Sequence, residues 1–170
     1  MLNPLLNSMA KQKRSPYNQG IYKPIHPEKC MNSKKGGSIE YRSQLEFNYM
    51  YKVDRSKNVT SWGSEVVWVP YYNPVKKKIC QYWVDLLVDH VTLGVIAIEI
   101  KPAKEIKAIM ENKMPKATPK KKKSTLIYET KMFVINRAKW EAAKQYCNKR
   151  GWKFITISEK DLKSGNIPFI

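Results

Sequence analysis

The chain is poor in cysteine and spaces what it has widely. Cys30, Cys80 and Cys147 are the only three in 170 residues, and no two form a Cys-x-x-Cys pair. That excludes a zinc knuckle and a disulfide framework, and makes a reducing compartment the expected setting. Histidine is scarcer: His26 and His90 stand alone with no partner at a readable spacing, so neither is expected to act in catalysis. No stretch approaches the roughly 18 apolar residues of a membrane span. MLNPLLNSMAKQKR lacks the continuous apolar centre of a secretory leader, so neither membrane insertion nor secretion is expected. Without secretion, the glycosylation pattern at Asn58 carries no weight. Internal repeats are absent. Acidic residues are also in short supply, 14 Asp and Glu against 32 Lys and Arg, for a net charge of +18. So large a basic excess predicts a polyanionic partner, nucleic acid first, held with strong salt dependence. Ribosomal and capsid-lining proteins share that composition, so charge names a partner class and no chemistry.

A hydrophobic fraction of 42%, with 11% aromatic residues, is enough for one domain with a true core. Residues 1–38 carry seven Lys or Arg against one Glu and read as a basic, largely irregular arm ending in NSKKGGS. Patterning begins at Ile39, and residues 39–170 are expected to form the working domain. YRSQLEFNYMYKVDRS reads as a helix capped by Ser43. SEVVWVPYY reads as a strand stopped at Pro70, and ICQYWVDLLVD as the next strand. HVTLG then reverses the chain into VIAIEIK. A Lys/Pro-rich loop is expected at about 111–125, after a short helix in AKEIKAIMENK. YETKMFVI reads as a short strand or lead-in. NRAKWEAAKQYCNKRG reads as an amphipathic helix, capped by Asn136 and ended at Gly151, with Trp140, Ala143 and Cys147 on one side. WKFITIS is the last strand. The order predicts an α/β fold: a mixed sheet of about four strands flanked by helices, with a parallel pair at the βαβ connection. Trp62, Trp68 and Trp83 are expected in the core.

Charged residues interrupt the most strand-like segments. Alternation puts Ile96, Ile98 and Ile100 on one face and Val95, Ala97, Glu99 and Lys101 on the other, with Glu99 and Lys101 about 6–7 Å apart. A reversal centred near Thr92 places Asp85, a lone acid among apolar residues, opposite Glu99. Glu-x-Lys alone is more readily a solvent-facing ion pair, and Asp85 across the hairpin is what brings the two readings level. Two facing carboxylates repel, however, and a chain that keeps them offers something positive between them. A divalent cation with hard oxygen ligands, magnesium or manganese, is the strongest candidate. Glu46 adds a third acid. Ser43-x-x-Glu46 is a capping-box pattern, yet Tyr49, Met50 and Val53 put Glu46 on the buried side of its helix, and the two roles are compatible.

An acid on the first helix, Asp85 on one strand and Glu99-x-Lys101 on the next resemble the PD-(D/E)xK nuclease superfamily. So does the αβββαβ element order of its restriction-endonuclease-like core. YRSQLEFNYMYKVDRSKNVTSWGSEVVWVPY, QYWVDLLV and IEIKP, with the closing NRAKWEAAKQYCNKRGWKFITISEKDL, resemble more narrowly the head completion nucleases of tailed phages. Those are related to the endonuclease subunit of cut-and-paste transposon machinery. The likeness covers roughly residues 39–162, and one departure is Val84, where a proline often precedes the metal-binding Asp. The resemblance implies a Mg2+-dependent phosphodiester hydrolase, with Mn2+ as an alternative ion. Asp85, Glu99 and the Ile100 carbonyl would hold the metal, with Glu46 in or near its shell. Lys101 would orient the attacking water, neutralise charge growing on the phosphate, or serve as base. Ser43 and Tyr82 are candidate neighbours, whereas Gln81 reads as strand rim.

In that setting the basic arm, with Lys34 and Lys35, and the run Lys120, Lys121, Lys122 and Lys123 are expected to contact DNA backbone, with weak sequence preference. The partners expected are DNA and phage head or neck proteins, in the host cytoplasm during assembly and in the virion. The competing readings are a non-catalytic DNA-binding head or neck protein, and an endonuclease of transposition or host defence. The carboxylates speak against the first, and the short chain without an appended recognition domain speaks against the second.

Overall fold

A computed structural model describes residues 18–34, 39–165, 167 and 170. Its elements run β1 (Gly20–Tyr22), α1 (Met31–Lys34), β2 (Ile39–Tyr41), α2 (Gln44–Arg55), β3 (Val59–Ser64), β4 (Trp68–Asn73), β5 (Lys78–Trp83), β6 (Leu86–His90), β7 (Gly94–Ile100), α3 (Ala103–Met110), α4 (Lys123–Asn148), β8 (Lys153–Ile157) and α5 (Glu159–Ser164). The central sheet has four strands in the order β3-β6-β7-β8; β3, β6 and β7 are antiparallel neighbours, and β8 lies parallel to β7. β4 and β5 form a separate antiparallel ribbon, as do β1 and β2.

Strand alternation divides the core in two. Ile96, Ile98 and Ile100 pack with Leu86, Val88 and Trp62 against Tyr49, Met50 and Val53 of α2. Ala97 and Leu87 face the other way, against Ala143 and Cys147 of α4 and against Val69, Tyr71 and Tyr82 of the ribbon. Small residues meet on that side, since Ala97 and Ala143 are both fully buried. Each buried apolar side chain contributes roughly 1.5–3 kcal/mol, so these two layers hold the sheet sandwiched.

Helix α2 is capped as expected. Ser43 has extended backbone, and its hydroxyl accepts from the Glu46 N–H at 3.2 Å. The hairpin register is also as expected, with Leu86 opposite Ile98 and His90 opposite Gly94. Other expectations need correction. The strand expected to stop at Pro70 runs through it to Asn73, because among the described residues β4 pairs with β5 alone and an edge strand tolerates a missing N–H. The first strand of the central sheet is instead Val59–Ser64, where Thr, Ser and Gly had obscured the pattern. ICQYWVDLLVD is two strands in two sheets, broken at Val84–Asp85. α4 begins thirteen residues before Asn136, which is a buried interior residue and not a cap. Its amphipathic stripe starts at Phe133, so packing overrides the β-branched residues of YETKMFVI. Trp62 is in the core, but Trp68 and Trp83 oppose each other on the open face of the ribbon, each a little over 40% exposed.

The segment expected to be an irregular arm is built in from Gly20 onward. β1 pairs with β2, and Cys30 bridges to Trp62. Asp54 of α2, fully buried, accepts from the Tyr22 hydroxyl at 2.9 Å and from the Ile25 and His26 N–H groups at 2.6 and 3.2 Å, with Trp62 Nε1 at 3.4 Å. Residues 1–17 and 35–38 of that arm lie outside the described residues. Among the described residues no helix is long and apolar enough to cross a membrane.

Candidate active site

The acids and the lysine expected from the sequence gather where β6 and β7 part. Pairing of these strands ends at Leu86–Ile98, one residue short of Asp85 and Glu99. The Asp85 carboxylate reaches past the end of the ladder and accepts the Ile100 N–H at 2.8 Å. Glu99, only 2% exposed, points toward α4; its Oε2 accepts from the Tyr82 hydroxyl and its Oε1 lies 2.8 Å from the Lys101 ammonium. The same ammonium is 3.6 Å from Asp85 Oδ2 and donates to the Ile100 carbonyl at 3.1 Å. The three groups expected to hold a metal therefore all converge on one positive charge, which here is Lys101's own.

The electrostatics follow from that count of two carboxylates to one ammonium. Burial pushes the Asp85 carboxyl up to about 7, with Glu99 adding to the rise; Lys101 and the Ile100 N–H oppose it. Burial opposes the Lys101 charge, but Asp85 and Glu99 outweigh it and hold that ammonium more firmly protonated than an ordinary lysine. Desolvation, reinforced by Glu99 and Asp85, pushes the Tyr82 phenol far above its ordinary value, so it stays a donor. A buried, oxygen-rich site with surplus negative charge suits a hard divalent cation such as Mg2+ or Mn2+.

Glu46 does not join this group as closely as expected. Its Oε2 accepts from the Arg42 N–H at 2.8 Å and its Oε1 from the Ser43 hydroxyl at 3.1 Å, so the capping role takes both oxygens. It still lines one cleft with Asp85 and Ile100, together with Glu40, Arg42, Met50, Ser64 and Glu65. Among the described residues no three His, Cys, Asp or Glu side chains are grouped closely enough to hold an ion by themselves. The donor set that fits is two carboxylates and a main-chain carbonyl, with Glu46 across the cleft.

The other expected residues divide. Tyr82 is part of the site, Ser43 acts through Glu46, and Gln81 sits opposite Pro70 on the open face of the ribbon. Lys120, Lys122 and Lys123 are exposed. Lys121 is committed, with its ammonium 2.8 Å from Glu129 and 3.2 Å from the Lys116 carbonyl. The Lys34 side chain and the whole of Lys35 lie outside the described residues.

Three residues near the site were not expected from the sequence. Arg42 makes a two-point pair with Glu65, at 2.6 and 3.2 Å, closing one wall of the cleft. Glu65 is held at φ +50, an uncommon conformation for a side chain of its size. Lys139 of α4 stands 5.2 Å from the Tyr82 ring centre and 5.9 Å from that of Tyr71. A sign of it was present in the sequence: Lys139 lies three residues after Asn136 and four before Ala143, on the buried stripe of the helix.

Residues 56–159 match the family described as TnsA-like endonuclease N terminal. The chain is also similar to the head completion nuclease of Enterobacteria phage T4, at 30% identity over 126 residues, covering 74% of this chain and 82% of that protein. The four-stranded mixed sheet with α2 on one face and α4 on the other is restriction-endonuclease-like, as the element order had implied. The chain belongs to the TnsA-like endonuclease family.

Proposed function

We propose that this protein is a Mg2+-dependent deoxyribonuclease, with Mn2+ as an alternative ion, that processes DNA in tailed-phage head completion after genome packaging. The observation that carries the reading is the convergence of Asp85, Glu99 and the Ile100 carbonyl on the single position held by the Lys101 ammonium, with Asp85 and Ile100 also lining the cleft. Asp85, Glu99 and Ile100 would hold the ion, with Glu46 in its outer surroundings. When bound, such an ion polarises the scissile phosphate and lowers the pKa of a coordinated water. Tyr82 fixes the Glu99 carboxylate by donating to the oxygen that Lys101 does not use. Lys101, within 3.6 Å of both carboxylates, is placed to neutralise charge growing on the phosphate, to orient the attacking water or to serve as base. The net charge of +18 supplies sequence-independent attraction to DNA. The T4 relative's name, head completion nuclease, supports a setting in phage assembly; in this reading the protein works in the host cytoplasm, with head or neck proteins as further partners.

Plasmid digestion tests this directly. Wild type should cut with Mg2+ and not with EDTA, while Asp85→Ala and Glu99→Ala should bind DNA at least as well and not cut. A wild type that binds but is inert with Mg2+ and Mn2+ would instead be a non-catalytic DNA-binding head protein.

A further inference from the structure

We propose that Lys139 is a second cation of the active centre, holding a DNA phosphate beside the scissile bond; this rests on the DNA-cleavage reading above. The inference starts from where the residue sits. α4 buries Asn136, Trp140, Ala143 and Cys147 against the sheet and ribbon, and Lys139 lies on the same stripe. Its stem is half-buried there, so its ammonium has little choice of direction. That ammonium stands over the faces of Tyr82 and Tyr71. Tyr82 is the residue whose hydroxyl donates to Glu99, so Lys139 is one aromatic ring away from the acid pair.

The two lysines differ in what they already hold. Lys101 is engaged by Glu99, Asp85 and the Ile100 carbonyl. Lys139 has no carboxylate in salt-bridge contact and donates no hydrogen bond among the described residues; only the ring faces hold it. A cation taken partly out of water without an acceptor is costly, and cation–π contacts return only part of that cost. Burial lowers its pKa, Glu99 draws it back up, the Lys101 ammonium adds to the drop, and Asp85 opposes it. An anionic ligand completes such a site. A phosphodiester of DNA fits it, because a polyanion is drawn in by the whole basic surface, which offsets the repulsion from the neighbouring acids that any anion meets. The alternative is a purely structural lysine whose stem covers the ribbon. That role needs the methylenes and not the charge.

The test separates the two. Lys139→Met keeps the stem and removes the charge, Lys139→Gln keeps a neutral hydrogen-bonding group, and Lys139→Arg keeps the charge. Binding of a duplex oligonucleotide by the full chain without divalent cation should show a salt slope smaller by about 0.9 for Met and Gln, with Arg at the wild-type slope. With Mg2+ and saturating DNA, Met and Gln should cut on the order of 100-fold more slowly, and Arg should recover much of the rate. A wild-type slope and rate in Lys139→Met overturns the proposal. A reduced slope at an unchanged saturated rate also overturns it, since the contact would then lie away from the scissile phosphate. A lowered melting temperature in Met and Gln, with slope and rate per folded molecule unchanged, assigns a structural role and overturns it. If wild type does not cut at all, the cleavage reading fails, and the salt slope still decides whether Lys139 holds phosphate.

Discussion

Replacing Asp85 by Asn should stabilise the metal-free protein, and by an amount that depends on pH. The carboxyl is raised from 3.8 to about 7 by burial and by Glu99. The folded protein thus binds that proton more tightly than the unfolded chain does. Its contribution to stability is fully present below the unfolded value near pH 4 and is lost as pH rises through 7. At about 1.4 kcal/mol per decade, full burial would set a ceiling of roughly 4 kcal/mol. The side chain is 22% exposed, so about half of that, ~2 kcal/mol, is the better figure. Asn is nearly isosteric, retains an acceptor for the Ile100 N–H, and leaves Lys101 paired with Glu99. In EDTA at pH 8, Asp85→Asn should therefore melt about 4–8 °C above wild type for a chain of this size. The gap should close as pH falls toward 4, where the wild-type carboxyl is itself neutral. Excess Mg2+ should raise wild type and leave the variant nearly unmoved, since a ligand stabilises only the form that binds it. Thermal melts at pH 4.5, 6 and 8, with EDTA and with Mg2+, give the answer. A variant that melts at or below wild type at pH 8, or a gap that does not change with pH, would refute the account of the site as one of surplus negative charge.

Two other predictions follow from buried carboxylates and their donors. Tyr82→Phe removes the donor that fixes Glu99 while keeping the ring under Lys139; the fold should survive with a loss of about 1–2 kcal/mol in denaturant melts, and cutting with Mg2+ should slow about tenfold or more. Asp54→Ala leaves the Tyr22 hydroxyl, the Ile25 and His26 N–H groups and the Trp62 indole without their acceptor; a loss of about 3–5 kcal/mol is expected, and proteolysis within residues 20–34 should accelerate as β1 loses its anchor.

The strand carrying Glu99 and Lys101 was legible because two constraints agreed. Alternation assigned its faces, and the tight reversal after His90 fixed the register against β6. Helix α2 was legible from Ser43 and the uninterrupted run that follows. The first half of α4 was not, because Thr, Ile, Phe and Val favour strands locally and Asn136 looks like a cap; only packing of Phe133 and Asn136 against the rest of the fold reveals one long helix. Asp54 was equally hidden. A charged residue near a helix end reads as solvated, and nothing local shows that a segment some thirty residues earlier returns to donate to it. Lys139 was half-legible: its place on the buried stripe was visible, but not the two tyrosines from a distant hairpin.

The break at Val84–Asp85 explains why the site is where it is. The chain leaves the central sheet at Glu65 and returns at Asp85, with the whole β4–β5 ribbon between them, and the Glu65 N–H donates to the Asp85 carbonyl at 3.3 Å. Departure and return therefore share one corner of the sheet. An unbroken strand through Asp85, as the apolar run suggested, would have fixed it in the ladder as a repelling partner of Glu99. Because pairing begins only at Leu86, the Asp85 side chain is free to cap the Ile100 N–H, while Tyr82, on the ribbon just before the break, reaches Glu99 from the other side. A sheet corner of this kind supplies what a regular ladder cannot: a carboxylate from a strand, a second from the break beside the neighbouring strand, and a main-chain carbonyl aimed at one point, on well-packed elements.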